Sequence, residues 1–393
     1  MDKKTIVLLL VVFIDLVGFG IVIPILPLLI THIGGGALLV GIIISIFSLF
    51  QFLFSPILGR LSDKYGRKPV LIITSFINAL SYFIIFLSQS FWLIVIARII
   101  GGIGSANISV AQAYIADTSE KHERTKKIAL IGAAFGLGFI VGPLLGGVVS
   151  SKFGIQYAFL IPAVLSAVNT VLIFLILPES NTALQKHIKI EFFNLKVTKE
   201  ILRPKNMSFL LFLFFFVNLA LALIIGVFPL YSQAVYSWGE AENGYYFGLI
   251  GLGSFITQAF LVRLLLKKFD ETQIVRMALL LFGISVTMVG LAPLGWMALI
   301  IGPFTSVGFS LINVGVQSLI SLESKQDEQG VVLGIAQSFG SMARVIGPIA
   351  GGIIATFNLS LPYIVSGIMA LLILYFGQNY LRYIKANKAE KEI

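Results

Sequence analysis

Asp15 lies about ten residues into an unbroken apolar run from Thr5 to about Ile30, roughly 15 Å deep if the run is helical. It is the only acid well inside an apolar run of this chain. A carboxyl at such depth is costly unless it is protonated or paired. Burial and an approaching cation act on its protonation in opposite directions. That combination suits a group that takes a proton in one state and releases it in another. The alternative is a structural acid hydrogen-bonded to a neighbouring helix.

Two guanidiniums share this depth. Arg98 is always charged and needs an acid, backbone carbonyls or a wet cavity around it. It either tunes a protonatable acid, Asp15 being the one within reach of the pattern, or contacts cargo; or else it locks its helix to a neighbour. Arg344 stands four residues before Pro348 and either serves a central cavity or locks packing. Further polar or aromatic residues in the middle of apolar runs are cavity candidates: Gln51, Asn107, Gln112, Phe135, Asn218, Gln258, Asn313 and Gln317. With 33 Phe in the chain, an aromatic stripe by itself signals lipid contact or packing. Phe-rich walls with few charges would suit a lipophilic compound.

These residues must be positioned by membrane-spanning helices. Of the 393 residues 58% are hydrophobic and only 12% charged, about half the charge of a soluble domain. Lipid must therefore solvate most of the chain. Twelve apolar runs are long enough to cross it, at 5–31, 38–58, 69–88, 91–116, 126–150, 156–177, 207–231, 243–266, 273–292, 295–320, 329–356 and 360–381. The runs are continuous, which argues against a membrane β-barrel. The first is too long for the core of a signal peptide and is expected to be retained. There is no cysteine, and His32, His122 and His187 are scattered near loops, so no metal site is expected.

The net charge of +10 would suggest nucleic acid in a soluble protein, but its distribution points elsewhere. With the N-terminus inside, 25 of the 28 Lys and Arg fall in cytoplasmic segments and only Lys152 falls outside. Both termini are therefore expected in the cytoplasm. One long polar interior segment, 178–206, separates six runs from six. It reads as a cytoplasmic linker with room for a short interfacial helix. The expected organisation is a bundle over 1–177, the linker, and a second bundle over 207–393.

The halves repeat. Gly142-Pro143-x-x-Gly146-Gly147 in the fifth run returns as Gly347-Pro348-x-x-Gly351-Gly352 in the eleventh, 205 residues later and in the same direction. Gly138, Gly142, Gly146 and Gly147 are spaced to share one helical face, where small residues let backbones approach, and Pro143 can bend the helix. They are expected to pack the fifth span on a neighbour across the pseudo-symmetric interface and to seal it against proton leak. A parallel six-plus-six duplication would place a transport site between the halves near the midplane.

The loop after the second run reads Gly59-Arg60-Leu61-Ser62-Asp63-Lys64-Tyr65-Gly66-Arg67-Lys68, which resembles the signature loop of the major facilitator superfamily. Gly138 to Gly147 is similar to the fifth-span motif of the antiporter branch. Ala97-Arg98-Ile99-Ile100-Gly101-Gly102 resembles its fourth-span Arg-Gly motif. Asp15 to Pro27 and Leu177-Pro178-Glu179-Ser180 resemble tetracycline-type and multidrug efflux proteins. Ser81, where tetracycline pumps tend to carry an acid, and the lack of a histidine in the eighth run point away from tetracycline itself.

The resemblance covers the whole chain. It implies an all-α membrane protein of twelve transmembrane helices in two pseudo-symmetric six-helix bundles, in the cell membrane, acting as a monomer. It implies export of small lipophilic compounds in exchange for protons; export of a sugar, metabolite or lipid is the alternative. Asp15 and Arg98 would carry proton coupling. The loop residues Gly59, Asp63, Gly66, Arg67 and Lys68, with Asp117 as a partner for Arg67, would form a conformational latch, Gly59 and Gly66 allowing tight turns. No Walker-type phosphate loop is present, so a proton gradient rather than ATP or a cofactor would supply the energy. Neither enzymatic activity nor nucleic-acid binding is expected.

Overall fold

The computed structural model describes residues 3–118, 121–181, 199–324 and 329–391; of 3–5, 121–133, 135 and 381–391 only the backbone is described. The expected interfacial helix of the linker lies outside these residues. The described backbone is helices joined by short turns, with no strand among the described residues.

Among the described residues, twelve helical segments are long and apolar enough to cross a membrane. The spans are, in order, Ile6–His32, Ala37–Tyr65, Arg67–Leu87, Phe91–Thr118, Gly136–Phe153, Tyr157–Ile176, Lys205–Ile225, Glu240–Leu265, Glu271–Leu291, Gly295–Glu323, Gln329–Phe357 and Leu361–Tyr380. Their outward faces carry large exposed apolar side chains, such as Phe76, Phe174, Phe260 and Phe376, as expected where lipid is the solvent.

Three spans are less regular than hydropathy suggests. Span four is interrupted by a 3₁₀ turn, Ser105–Asn107. Span eight contains a π-helical turn, Thr257–Leu261. The seventh apolar run does not continue as one helix to 231: it ends at Ile225, and Phe228–Tyr236 resumes after Gly226, since Pro229 at the start of the new helix has no amide hydrogen to continue the old ladder. Such breaks in spans occur at functional sites.

The packing is duplicated. Span one packs on spans five and six, and span seven on eleven and twelve; three packs on six, and nine on twelve; two packs on four, and eight on ten. The halves meet where span two packs on eleven and span five on eight. A shift of six spans exchanges these two interfaces. They are therefore the pseudo-symmetric seams between the two bundles.

Candidate functional site

Asp15 faces neighbouring helices. Its Oδ2 accepts from Asn107 Nδ2 at 2.8 Å, and its Oδ1 from Asn169 Nδ2 at 3.3 Å. Asn107 closes the 3₁₀ turn of span four, and Asn169 comes from span six, where it also donates to the Val11 carbonyl at 2.9 Å. One half-buried carboxylate thus joins spans one, four and six. Asn169 is fully buried, and its Oδ1 has no hydrogen-bond partner among the described residues. A donor and a free acceptor therefore stand on one amide beside the acid.

Arg98 does not pair with Asp15. It is 2% exposed, and its guanidinium stacks 5.0 Å from the Phe47 ring centroid and 5.9 Å from that of Tyr82. Its Nε and Nη2 have no hydrogen-bond partner among the described residues. Aromatic faces offset part of the cost of burying the charge. Phe47, Tyr82 and Asn169 were not signalled by the sequence: each is an ordinary apolar-run residue until the helices cross.

The cavity candidates separate into groups. Asn107 serves Asp15. Gln51 is tied to the Ser105 carbonyl at 3.1 Å, and Asn218 to its own helix at the Phe214 carbonyl at 2.8 Å. Both brace helices. Gln112 and Gln258 are exposed. Asn313 and Gln317 bond each other at 2.5 Å, and Gln317 accepts from Gln337 of span eleven at 3.5 Å. Arg344 is exposed and donates to Ser341 Oγ at 2.9 Å. The Phe135 side chain lies outside the described residues.

The span-five glycines depart from expectation. A Cβ on Gly142 would lie 2.5 Å from the Val17 carbonyl oxygen, one on Gly138 2.7 Å from Leu16 Cβ, and one on Gly146 3.0 Å from Ile21 Cγ2. These three, with Pro143 against Gly20, bind span five to span one of the same half. Of the motif's four glycines only Gly147 crosses the seam, its Cβ position lying 2.7 Å from the Glu240 carbonyl oxygen of span eight; Gly136, just before the motif, also meets span eight, at Phe255. The second half repeats this: Gly347 and Gly351 meet Ala222 and Leu223 of span seven, and Gly352 meets Ala37 and Leu38 of span two.

The signature loop is mostly helix. Gly59 lies inside span two and turns nothing; a Cβ there would meet only Ser109 Oγ, at 3.9 Å. Gly66 alone makes the turn, at φ +103°. Arg67 pairs with Asp63 at 2.6 Å and with Asp117 at 3.0 Å, and donates to Ser62 Oγ at 2.6 Å. Glu179 accepts from the backbone amides of Arg67 at 2.8 Å and Lys68 at 3.1 Å. A carboxylate there satisfies orphan donors at the positive end of span three. The Lys68 ammonium lies 5.7 Å from the Phe174 ring centroid. The cluster joins spans two, three and four to the exit of span six, all in the first half.

Twelve spans in two matched bundles, with a buried ionisable cluster in one and polar residues along a seam, define a membrane transporter of the alternating-access type. Residues 8–348 match the Major Facilitator Superfamily, and the chain belongs to that family. It is 30% identical over 361 residues to the class D tetracycline resistance protein of Salmonella ordonez, covering 89% of each chain. It is 28% identical over 382 residues to multidrug resistance protein 2 of Bacillus subtilis (strain 168), covering 94% of each. Among solved structures, a bacterial homologue of the human lysosomal transporter Spinster shares the fold at TM-score 0.79 and 13% identity, over 98% of both chains. The human organic anion transporter MFSD10 does so at TM-score 0.70 and 23% identity, over 97% of this chain and 100% of the other.

Proposed function

We propose that this chain exports small lipophilic compounds across the cell membrane in exchange for protons, as a monomer with both termini in the cytoplasm. The observation that carries the reading is Asp15, half-buried at membrane depth and bonded to two amides and, among the described residues, to no cation. An ionised Asp15 accepts from Asn107 and Asn169. A protonated Asp15 must instead donate, and a turn of the Asn169 amide offers its unpartnered Oδ1. Turning that amide gives up its hydrogen bond to the Val11 carbonyl, so taking up a proton rearranges the contact between spans one and six.

Protonation also changes how span one is tied to the 3₁₀ break in span four, which links the proton to helix position. Arg98, buried without a carboxylate, favours cargo or acid approaching it. The Arg67–Asp117–Glu179 cluster would hold the latch end of the first bundle in one arrangement as the halves rock. The resistance proteins among its relatives support export of foreign compounds, and the basic loops support the orientation.

The test is dye efflux from energised vesicles, with and without a proton ionophore. Efflux should stop when the gradient collapses and should be lost in Asp15→Asn at normal expression. Robust proton-driven efflux by that variant would remove Asp15 from the mechanism. Ionophore-insensitive flux would leave a facilitator of sugars, metabolites or lipids instead.

A further inference from the structure

Span eleven has three faces. Met342, Ile346, Ile353 and Phe357 form an exposed apolar stripe suited to lipid. Gly340, Gly347 and Gly351 pack on Phe214, Ala222 and Leu223 of span seven. The third face carries Gln337, Ser341 and Arg344 at helical spacings of four and three, and continues into Pro348 and Gly352. Those last two meet span two: a Cβ on Gly41 would strike the Pro348 carbonyl, and Gly352 lies against Ala37 and Leu38. Arg344 therefore looks along the seam between the bundles rather than into lipid. Its side chain is accessible there although it stands midway along a span.

No carboxylate pairs with Arg344 among the described residues; its hydrogen bond is to Ser341, and Gly340 leaves room beside it for Asn218. Ser341, accepting from the guanidinium, keeps its hydroxyl hydrogen free to donate. The neighbouring Gln337, Gln317 and Asn313 are neutral amides. A cation at that depth needs a counter-charge, and among the described residues nothing on this wall supplies one. In the other half the 205-residue repeat places Phe139 at the position of Arg344, and Phe139 stacks edge-on against Phe19 at 5.8 Å, as Phe47 does with a tilt at 5.8 Å. One wall is aromatic and its pseudo-symmetric counterpart is cationic.

We propose that Arg344 receives the acidic group of the cargo, and that the compounds exported are aromatic or otherwise lipophilic anions whose apolar body rests on the Phe19–Phe139 side, which the buried Phe47 backs. This deepens the export reading and rests on it for direction of transport only. A planar guanidinium with a donating hydroxyl beside it matches a carboxylate or sulfonate.

The test uses the purified full chain with three compounds of one skeleton: 2-naphthoate, 2-naphthamide and 2-naphthylmethylammonium. Equilibrium binding should favour naphthoate over both others by about tenfold or more, the worth of a charge-assisted hydrogen bond. Arg344→Gln should erase that preference by bringing naphthoate binding down to the naphthamide level, and Arg344→Lys should keep part of it. Equal binding of the three compounds by the native chain overturns the proposal whether or not the variants fold. So does a naphthoate preference that survives Arg344→Gln. Proton-driven flux of the ammonium compound alone would overturn it and leave proton exchange standing. Arg344-dependent naphthoate binding without proton-driven flux would uphold it and sink the export reading.

Discussion

The amide of Asn107 donates to Asp15 Oδ2 at 2.8 Å, from the one turn of span four that is not α-helical. The acid and the helix irregularity are parts of one device. A regular α-helix through Ser105–Asn107 would rotate the amide relative to span one, and the carboxylate would lose its shortest hydrogen bond.

Asn107→Ala is therefore expected to reduce proton-driven efflux by about tenfold, the effect of losing one hydrogen bond to a charged group, with Asp15 still present. Vesicle efflux at matched expression measures it. Native rates in this variant would reduce the bond to packing.

Arg98→Met should leave thermal stability unchanged or raise it, because the native guanidinium is buried with two nitrogens unpartnered. Efflux should be lost. Thermal unfolding in detergent, read beside transport, separates the two roles open to this residue: a fall of more than about 1 kcal/mol would make Arg98 a packing lock.

The two glycines of the signature loop should behave oppositely. Gly59→Ala adds a methyl to open space within a helix and should stabilise by about 0.5–1 kcal/mol with transport intact. Gly66→Ala forces a side chain into positive φ and against the Glu179 carboxylate, and should lower both stability and efflux. Equal effects at the two positions would contradict the described turn.

Gly142→Ala and Gly347→Ala should each cost about 1–3 kcal/mol by overpacking, the first against span one and the second against span seven. The Gly142 clash is with span-one backbone, the Val17 carbonyl and Gly20 Cα, so no substitution in span eight should relieve it. A suppressor screen that returned substitutions in span eight would restore the seam-packing role expected from the motif alone.

The order of residues alone determined the number of spans, the doubling of the bundle and the place of Asp15 within the first span. Each of these depends on local run length, loop charge or a repeated string, and neighbouring residues suffice to specify them. The Arg67–Asp117 contact was also legible, because a loop arginine beside a helix-end acid has few other partners. Only the tertiary structure decided what meets what at membrane depth. Asn169 reaches Asp15 across 154 residues, Glu179 caps a helix 112 residues before it, and three motif glycines turn to span one instead of the seam. Such pairings depend on the angle and rotation at which helices cross, which side-chain packing sets over the whole bundle and no short segment encodes.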